Sequence, residues 1–231
     1  MKIIVLTDVH ANLPALKAAL ADMRREGYDA AFHTGDAVGL GPWPAETVDL
    51  LGSVPRLALL AGNHDLWMCS GVPQGSARWL EDHYLWLRGQ VLRRHRTAAA
   101  AWPLLTEHEF GGVRTAFAHY ALDAGGRLEL EVTARVAADL DAMAGRHSSL
   151  LVFHGHRHKA SDIKGRVRYI NPGALGCWHK PAARYCVARF SGGRVTVQHK
   201  AVPYDWDELL KGYADRKVPD ARRILGSYFA K

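Results

Sequence analysis

Cysteine is scarce in this chain: three residues in 231, Cys69, Cys177 and Cys186. They are too few and too far apart for a disulfide framework or a CxxC zinc site, and read as reduced packing residues. Long hydrophobic runs are also missing. The first, Ile3 to Leu6, gives way at Asp8, far short of a signal-peptide core or a membrane span. The expected location is therefore the cytoplasm, with no membrane partner. No Pro/Gly/Ser-rich or highly charged stretch separates two apolar halves, so residues 1–231 are expected to form one domain. A Walker lysine is lacking too. Gly39, Gly41 and Pro42 thus read as loop-shaping residues rather than a phosphate cradle.

What is present fits a folded chain. Hydrophobic residues make up 48% and charged residues 23%, enough for a substantial core and too balanced for disorder. The net charge of +7 draws anions, of which phosphates are the commonest. That charge is scattered, and its densest run, Arg93, Arg94 and Arg96, is short. A solvated basic surface is favoured over a nucleic-acid patch. Histidine is abundant, with 13 residues, several beside Asp or Asn. Neutral imidazole is the commonest side-chain metal ligand.

The early chain alternates strands and helices. Lys2–Thr7 is a short β-branched run that predicts a buried strand. Asn12 is a good N-cap, Pro14 suits a first turn, and Leu13, Leu16, Leu20 and Met23 share a helical face ended by Gly27. Ala30–Thr34 predicts a second strand, Gly35–Pro44 a turn followed by a short helix to Leu51, and Arg56–Ala61 a third strand. This is the pattern of a βαβαβ unit with a parallel sheet. Residues Val72 to Trp102 read as a Trp-rich helical insertion packed on the sheet or over its rim. Strands are expected at Val113–Ala118, Leu150–Phe153, Val167–Ile170, Tyr185–Phe190 and Val195–His199. Helices are expected around Val132–Ala144 and, once or twice, between Trp206 and Phe229.

Residues with ligand chemistry sit at the ends of these strands, where open α/β sheets bind ligands. Asp8 and His10 follow the first, Gly35-Asp36 the second, and Gly62-Asn63-His64-Asp65 the third. His119 ends the strand from Val113, and His154-Gly155-His156-Arg157-His158 ends the strand from Leu150. Residues two apart in extended backbone point the same way, so Asp8 and His10 are expected to converge, as are His156 and His158. Oxygen and nitrogen donors without thiolate suit Mn, Fe, Zn, Ni or Co. Asp36, isolated on its Gly-flanked turn, is the natural carboxylate to bridge two cations.

Asp8-Val9-His10, Gly35-Asp36, Gly62-Asn63-His64-Asp65, His119 and Gly155-His156-Arg157-His158 resemble the ordered blocks of the calcineurin-like metallophosphoesterase superfamily. The stretches DVHANLPAL, GDAVGLGPWP and INPGA are similar to its small bacterial and archaeal branch of phosphodiesterase or diadenosine tetraphosphatase-like proteins, and the resemblance spans roughly Met1 to Gly176. Each block alone is weak; in order and in strand–turn context they are specific. The resemblance implies an α/β fold, a four-layer α/β/β/α sandwich with a dimetal site at the strand C-terminal edge. It implies two divalent ions, manganese foremost: one held by Asp8, His10, Asp36 and His158, the other by Asp36, Asn63, His119 and His156. It places His64 as the acid near the leaving oxygen, with Asp65 as a partner for its imidazole.

Two metals roughly 3.5–4 Å apart lower the pKa of a bridging water, present hydroxide to phosphorus and neutralise phosphoryl charge. The leaving alkoxide needs a proton, which a histidine near neutrality supplies. The expected activity is hydrolysis of small phosphodiesters, of cyclic nucleotide or dinucleoside polyphosphate type. Alternatives are a phosphomonoesterase or protein phosphatase on the same centre, and a nucleic-acid-binding nuclease using the basic surface. A dead scaffold would need a lost ligand or acid, and none is lost.

The family pattern is departed from at Tyr120, where glycine is usual, at Ala174, where serine is common, and in the long segment Leu66 to Thr106. These bear on substrate preference and remove no ligand. His33, His83, His95, His108, His147, His179 and His199 read as ordinary surface or core histidines. His154 is a candidate for hydrogen bonding behind the ligands. Asp65 is equally suited to capping a following helix. Arg157 is expected to face solvent more than phosphate, and Trp79, Trp86 and Trp102 to pack rather than stack on bases.

Overall fold

In the computed structural model of the chain, which describes residues 1–122, 125–128, 140–141 and 149–229, two five-stranded sheets lie face to face. The first contains β1 (Lys2–Leu6), β2 (Ala30–His33), β3 (Leu57–Leu59), β9 (Ala182–Ser191) and β10 (Arg194–Pro203), in the order β10-β9-β1-β2-β3. The second contains β4 (Leu105–Phe110), β5 (Val113–Ala118), β6 (Leu151–Phe153), β7 (Ser161–Lys164) and β8 (Arg168–Asn171), in the order β4-β5-β6-β8-β7. Each sheet has three parallel strands, β1-β2-β3 or β5-β6-β8, with antiparallel strands outside them.

Strand alternation explains the layers. In β1, Ile3 and Val5 face the second sheet while Ile4 and Leu6 face the helices, so the strand is apolar from Ile3 to Leu6. Phe32 and Phe117 stack across the sandwich with centroids 3.8 Å apart, and Phe153 stacks on Phe117 at 5.4 Å. The other face of the first sheet is covered by α1 (Leu13–Glu26) and α2 (Pro44–Gly52). The Asn12 side chain accepts from the Ala15 amide at 3.1 Å, and Gly27, with φ +66°, closes the C-terminus of α1. On the outer face of the second sheet, Ala116, Val152 and Tyr169 pack with Leu140. The helix expected around Val132–Ala144 lies, apart from Leu140 and Asp141, outside the described residues.

Two strands depart from the sequence reading. Both β4, with exposed Glu107, His108 and Glu109, and β7, Ser-Asp-Ile-Lys, are edge strands without an apolar face strong enough to announce them. The insertion contains α4 (Arg78–Gln90) and α5 (Arg93–Ala100). It packs against α2 and a helix that follows β3, α3 (Asn63–Ser70), rather than on a sheet face. Two further helices, α6 (Trp206–Asp215) and α7 (Ala221–Tyr228), cover the loops beyond the strand ends. There Leu209, Tyr213 and Ile224 pack with Leu40, Ala174 and Cys177. Trp79 and Trp86 join this cluster and Trp102 joins the core over the first sheet, so all three serve packing. No helix among the described residues is long and apolar enough to cross a membrane.

Candidate metal centre

The loops after β1, β2, β3, β5 and β6 meet at one edge of the sandwich, and every predicted ligand arrives there. They do not arrive on extended backbone as expected. Asp8, His10, Asp36, His156 and His158 all have positive φ, between +50° and +67°. Each such residue costs on the order of 1–2 kcal/mol when it is not glycine. Interlocked loops hold the strain: the Asp8 amide donates to the Gly35 carbonyl, the His10 amide to Asp36, the Gly155 amide to His119 and the Gly176 amide to Asp8, at 2.9–3.0 Å. The convergence of Asp8 with His10 therefore comes from a left-handed turn, not from strand periodicity.

Two donor groups form around Asp36. In the first, His10 Nε2 lies 2.9 Å from His158 Nε2, 3.8 Å from Asp8 Oδ1 and 3.9 Å from Asp36 Oδ2. In the second, His119 Nε2 lies 3.2 Å from Asp36 Oδ2 and 3.1 Å from Asn63 Oδ1, which also meets His156 Nδ1 at 3.1 Å. Ions bound at roughly 2.0–2.2 Å would separate neighbouring donors by about 3.0–3.6 Å; the second group falls in that range, and the first, at 2.9–3.9 Å, straddles it. The tautomers agree with this. His10 Nδ1 and His119 Nδ1 face the carbonyls of Val38, at 3.3 Å, and Thr34, at 2.9 Å. A carbonyl only accepts, so both Nδ1 atoms carry hydrogen and both Nε2 atoms face inward. The facing Nε2 atoms of buried His10 and half-buried His158 are well matched by a cation.

Charge in the centre is concentrated on one pair. Burial works against the Asp36 charge, but His119 and then His64 outweigh it and hold the carboxyl well below its usual range. Burial likewise opposes protonation of His119, yet the Asp36 carboxylate raises it to about 9. His10, His158 and His64 are lowered chiefly by burial, and His156 is lowered to about 3 by burial and then by His119. Four imidazoles are thus neutral at neutral pH, the form that ligates metals.

Gly62 shows how tight the centre is. A Cβ there would lie 2.2 Å from Asp36 Oδ1 and 2.5 Å from its amide nitrogen. Only glycine lets α3 start against the Asp36 turn, and that approach brings the His64 amide to Asp36 Oδ1 at 2.8 Å.

Comparison with known proteins gives this arrangement a family. The family model described as the calcineurin-like phosphoesterase superfamily domain matches residues 1–193. The chain belongs to that superfamily. An uncharacterized protein of Methanocaldococcus jannaschii is 30% identical over 121 residues, which are 51% of this chain and 48% of the relative. The match thus spans about half the length of that curated protein. A metallophosphoesterase crystal structure from Sphaerobacter thermophilus superposes with a TM-score of 0.72 at 23% identity, covering 97% of this chain and 98% of the other. A hypothetical protein from Pyrococcus horikoshii OT3 gives 0.80 at 18% identity, covering 100% and 98%. These two likenesses concern the fold, a calcineurin-like α/β sandwich.

Around the calcineurin-like centre, some neighbours differ from expectation. Asp65 does not reach the His64 imidazole. It is the third residue of α3, and its carboxylate turns back to accept from the amides of Gly62 at 2.9 Å, Asp36 at 2.8 Å and Val38 at 3.2 Å. It caps the helix and fixes the Asp36 turn. Burial, and after it Asp36, raise its carboxyl to about 7. The partner of His64 is Tyr84 of α4, whose hydroxyl lies 2.5 Å from Nδ1. Burial, reinforced by Asp36 and Asp65, holds the Tyr84 phenol well above its usual range.

Two residues near the centre, Cys177 and Tyr228, carry no site signal in the sequence. Cys177 was read as packing, and burial does push its thiol well above the ordinary range. Its sulfur nonetheless lies within 4.8 Å of ligand nitrogens of His10 and His158. Tyr228 of α7 lines a cavity of about 270 Å³ with Asp36, His64, His156, Arg157 and His158. Exposed Arg157 thus borders the site as well as solvent. Tyr120 sits over the second donor group, its ring 4.6 Å from that of His156. The His154 ring meets the neighbouring Gly155 carbonyl at 3.2 Å rather than a predicted ligand. His95 and His199 have structural partners in Asp49 and the Asn171 carbonyl.

Proposed function

We propose that this chain is a metal-dependent phosphoesterase acting on small phosphodiesters, of the cyclic nucleotide or dinucleoside polyphosphate type. The observation that supports this best is the position of Asp36, whose carboxylate lies within 3.2–4.0 Å of ring nitrogens from both donor groups and from His64. In this reading Asp8, His10, Asp36 and His158 hold one divalent ion, and Asp36, Asn63, His119 and His156 hold the other, with manganese first among the candidates. Two such ions, when bound, supply an activated water and offset the charge that grows on the phosphoryl oxygens.

The chain's own residues do the rest. The Val38 and Thr34 carbonyls orient His10 and His119, so their donor atoms need no reorganisation. His64 borders the cavity with Nε2 4.0 Å from Asp36 and, as an uncharged ring, presents its Nε2 hydrogen as a hydrogen-bond donor to the departing oxygen, whose proton comes from the attacking water. Arg157 and Tyr228 border the same cavity and offer donors to a phosphate or its ester group.

The test uses a diester and a monoester releasing the same phenol, with EDTA-treated protein and added Mn. EDTA-sensitive hydrolysis with the larger kcat/KM for the diester is expected. No metal-restored hydrolysis would remove the enzymatic reading. A clear monoester preference would replace it with a phosphomonoesterase on the same residues.

A further inference from the structure

The imidazole of His64 is enclosed by groups that the family blocks do not contain. Tyr84 belongs to the second turn of α4, inside the Trp-rich insertion, and is 2% exposed. Its hydroxyl meets His64 Nδ1 at 2.5 Å, the polar contact that the buried phenol makes. Trp67, one turn along α3, sets its ring 4.8 Å from the imidazole, and Tyr84 closes the edge of Trp67 at 5.7 Å. Beneath them Gly39 runs so close that a Cβ would lie 2.3 Å from His64 Nδ1 and 2.9 Å from the Tyr84 hydroxyl. The ring therefore has one orientation, with Nδ1 toward Tyr84 and Nε2 toward Asp36.

A phenol carries one proton and an uncharged imidazole carries one. When the phenol donates, Nδ1 accepts and the ring hydrogen sits on Nε2, facing the cavity. When the ring donates instead, Nε2 is a bare lone pair beside the Asp36 carboxylate, and the phenol proton lacks an acceptor in a dry site. The first arrangement gives the buried phenol proton an acceptor, and the second leaves it with none.

We propose that Tyr84 is a positioning residue that donates to His64 Nδ1 and thereby keeps the hydrogen of the uncharged His64 ring on Nε2, where it is a hydrogen-bond donor to the leaving oxygen. The proposal rests on the reading of His64 as the hydrogen-bond donor to the leaving oxygen. It also gives the insertion a task. α4 is tied to the C-terminal helices by the Trp86 indole, which donates to the Arg216 carbonyl at 3.2 Å, and by Arg223 over the Trp79 ring at 5.8 Å. The strut behind His64 is thus braced from two directions.

The test has an arm that needs no turnover. In metal-free protein with ¹⁵N-labelled histidine, the His64 ring is identified as the signal missing from His64→Ala. It is expected to be protonated at Nε2 alone, and Tyr84→Phe is expected to shift it toward a mixture of tautomers. A wild-type ring protonated at Nδ1, or a Tyr84→Phe spectrum unchanged at His64, overturns the proposal without requiring the variant to be active.

The second arm uses the Mn-loaded enzyme and diesters with good and poor leaving groups. Tyr84→Phe should lower kcat roughly tenfold for an alkyl leaving group, as one hydrogen bond allows, and less than about twofold for 4-nitrophenolate, with KM little changed. The loss should vanish in a His64→Ala background. Equal losses for both leaving groups, or losses that add to those of His64→Ala, overturn the positioning role. If His64→Ala itself slows both substrates equally, it is the reading of His64 as the group at the leaving oxygen that fails, and the tautomer spectra alone uphold or overturn the Tyr84 contact.

Discussion

Replacing Asp36 by Asn tests the whole centre, because the substitution removes charge and almost no shape. The His64 amide donates to Asp36 Oδ1 at 2.8 Å, and an amide oxygen accepts equally well, so the start of α3 survives. What is lost is the anion shared by both donor groups, 3.2 Å from His119 and 3.9 Å from His10. Residues behind metal ligands typically alter affinity about 10–100-fold, and a shared ligand should cost at least the upper figure. Wild-type protein with Mn at 100 times Kd gains about 2.7 kcal/mol. For a chain of 231 residues that is a Tm increase of about 5–11 °C. A 100-fold weaker site at the same Mn concentration gains only about 0.4 kcal/mol, or about 1–2 °C. Melting curves with Mn and with EDTA measure both shifts, and diester hydrolysis should fall about 100-fold or more in parallel. An Asp36→Asn protein that keeps the full EDTA-reversible shift would show that Asp36 is not shared between ions.

Gly62→Ala places a methyl 2.2 Å from Asp36 Oδ1; overpacking of this kind costs about 1–3 kcal/mol. Its melting temperature should drop and its Mn-induced shift shrink together, and an unchanged Mn shift would count against the tight Asp36 turn. Arg184→Ala removes the guanidinium that donates to the His158 and Ala174 carbonyls and lies 3.7 Å over the Trp178 ring. Calorimetric Mn titration should show affinity reduced about 10–100-fold, with the remaining loss in stability. Phe117→Ala opens the centre of the sandwich, where Phe117 is wholly buried against Phe32 and Phe153; it should cost about 3–5 kcal/mol by denaturant unfolding, with the Mn shift retained if the protein folds.

The parts of this protein that were legible in its sequence are those where one local rule decides. Ile3 to Leu6 must be a buried strand because both of its faces are apolar, and Asn12, Pro14 and Gly27 mark the ends of α1 by their own hydrogen-bonding chemistry. Strands β4 and β7 escaped because edge position, not side-chain pattern, makes them strands.

The centre divides along the same line. A strand end followed by Asp, Asn or His points to a ligand wherever the strand leads, so the donors of both groups could be named before their geometry was known. Their backbone could not: Asp8 and His10 meet through left-handed turns that no two-residue period describes. Asp65 was misplaced beside the imidazole because adjacency in sequence is not adjacency on a helix, where successive side chains diverge by about 100°. Its carboxylate faces three amides while Tyr84, from a different helix, takes the imidazole. Such supporting residues can come from any distance along the chain, and one hydroxyl at the right place suffices. Which side chains gather beyond the strand ends is therefore readable from local sequence, whereas the orientation and tautomer of those side chains depend on tertiary packing. It follows that chains sharing these strand-end blocks but lacking a phenol over the histidine must hold that ring by other means, and their rates should respond differently to the leaving group.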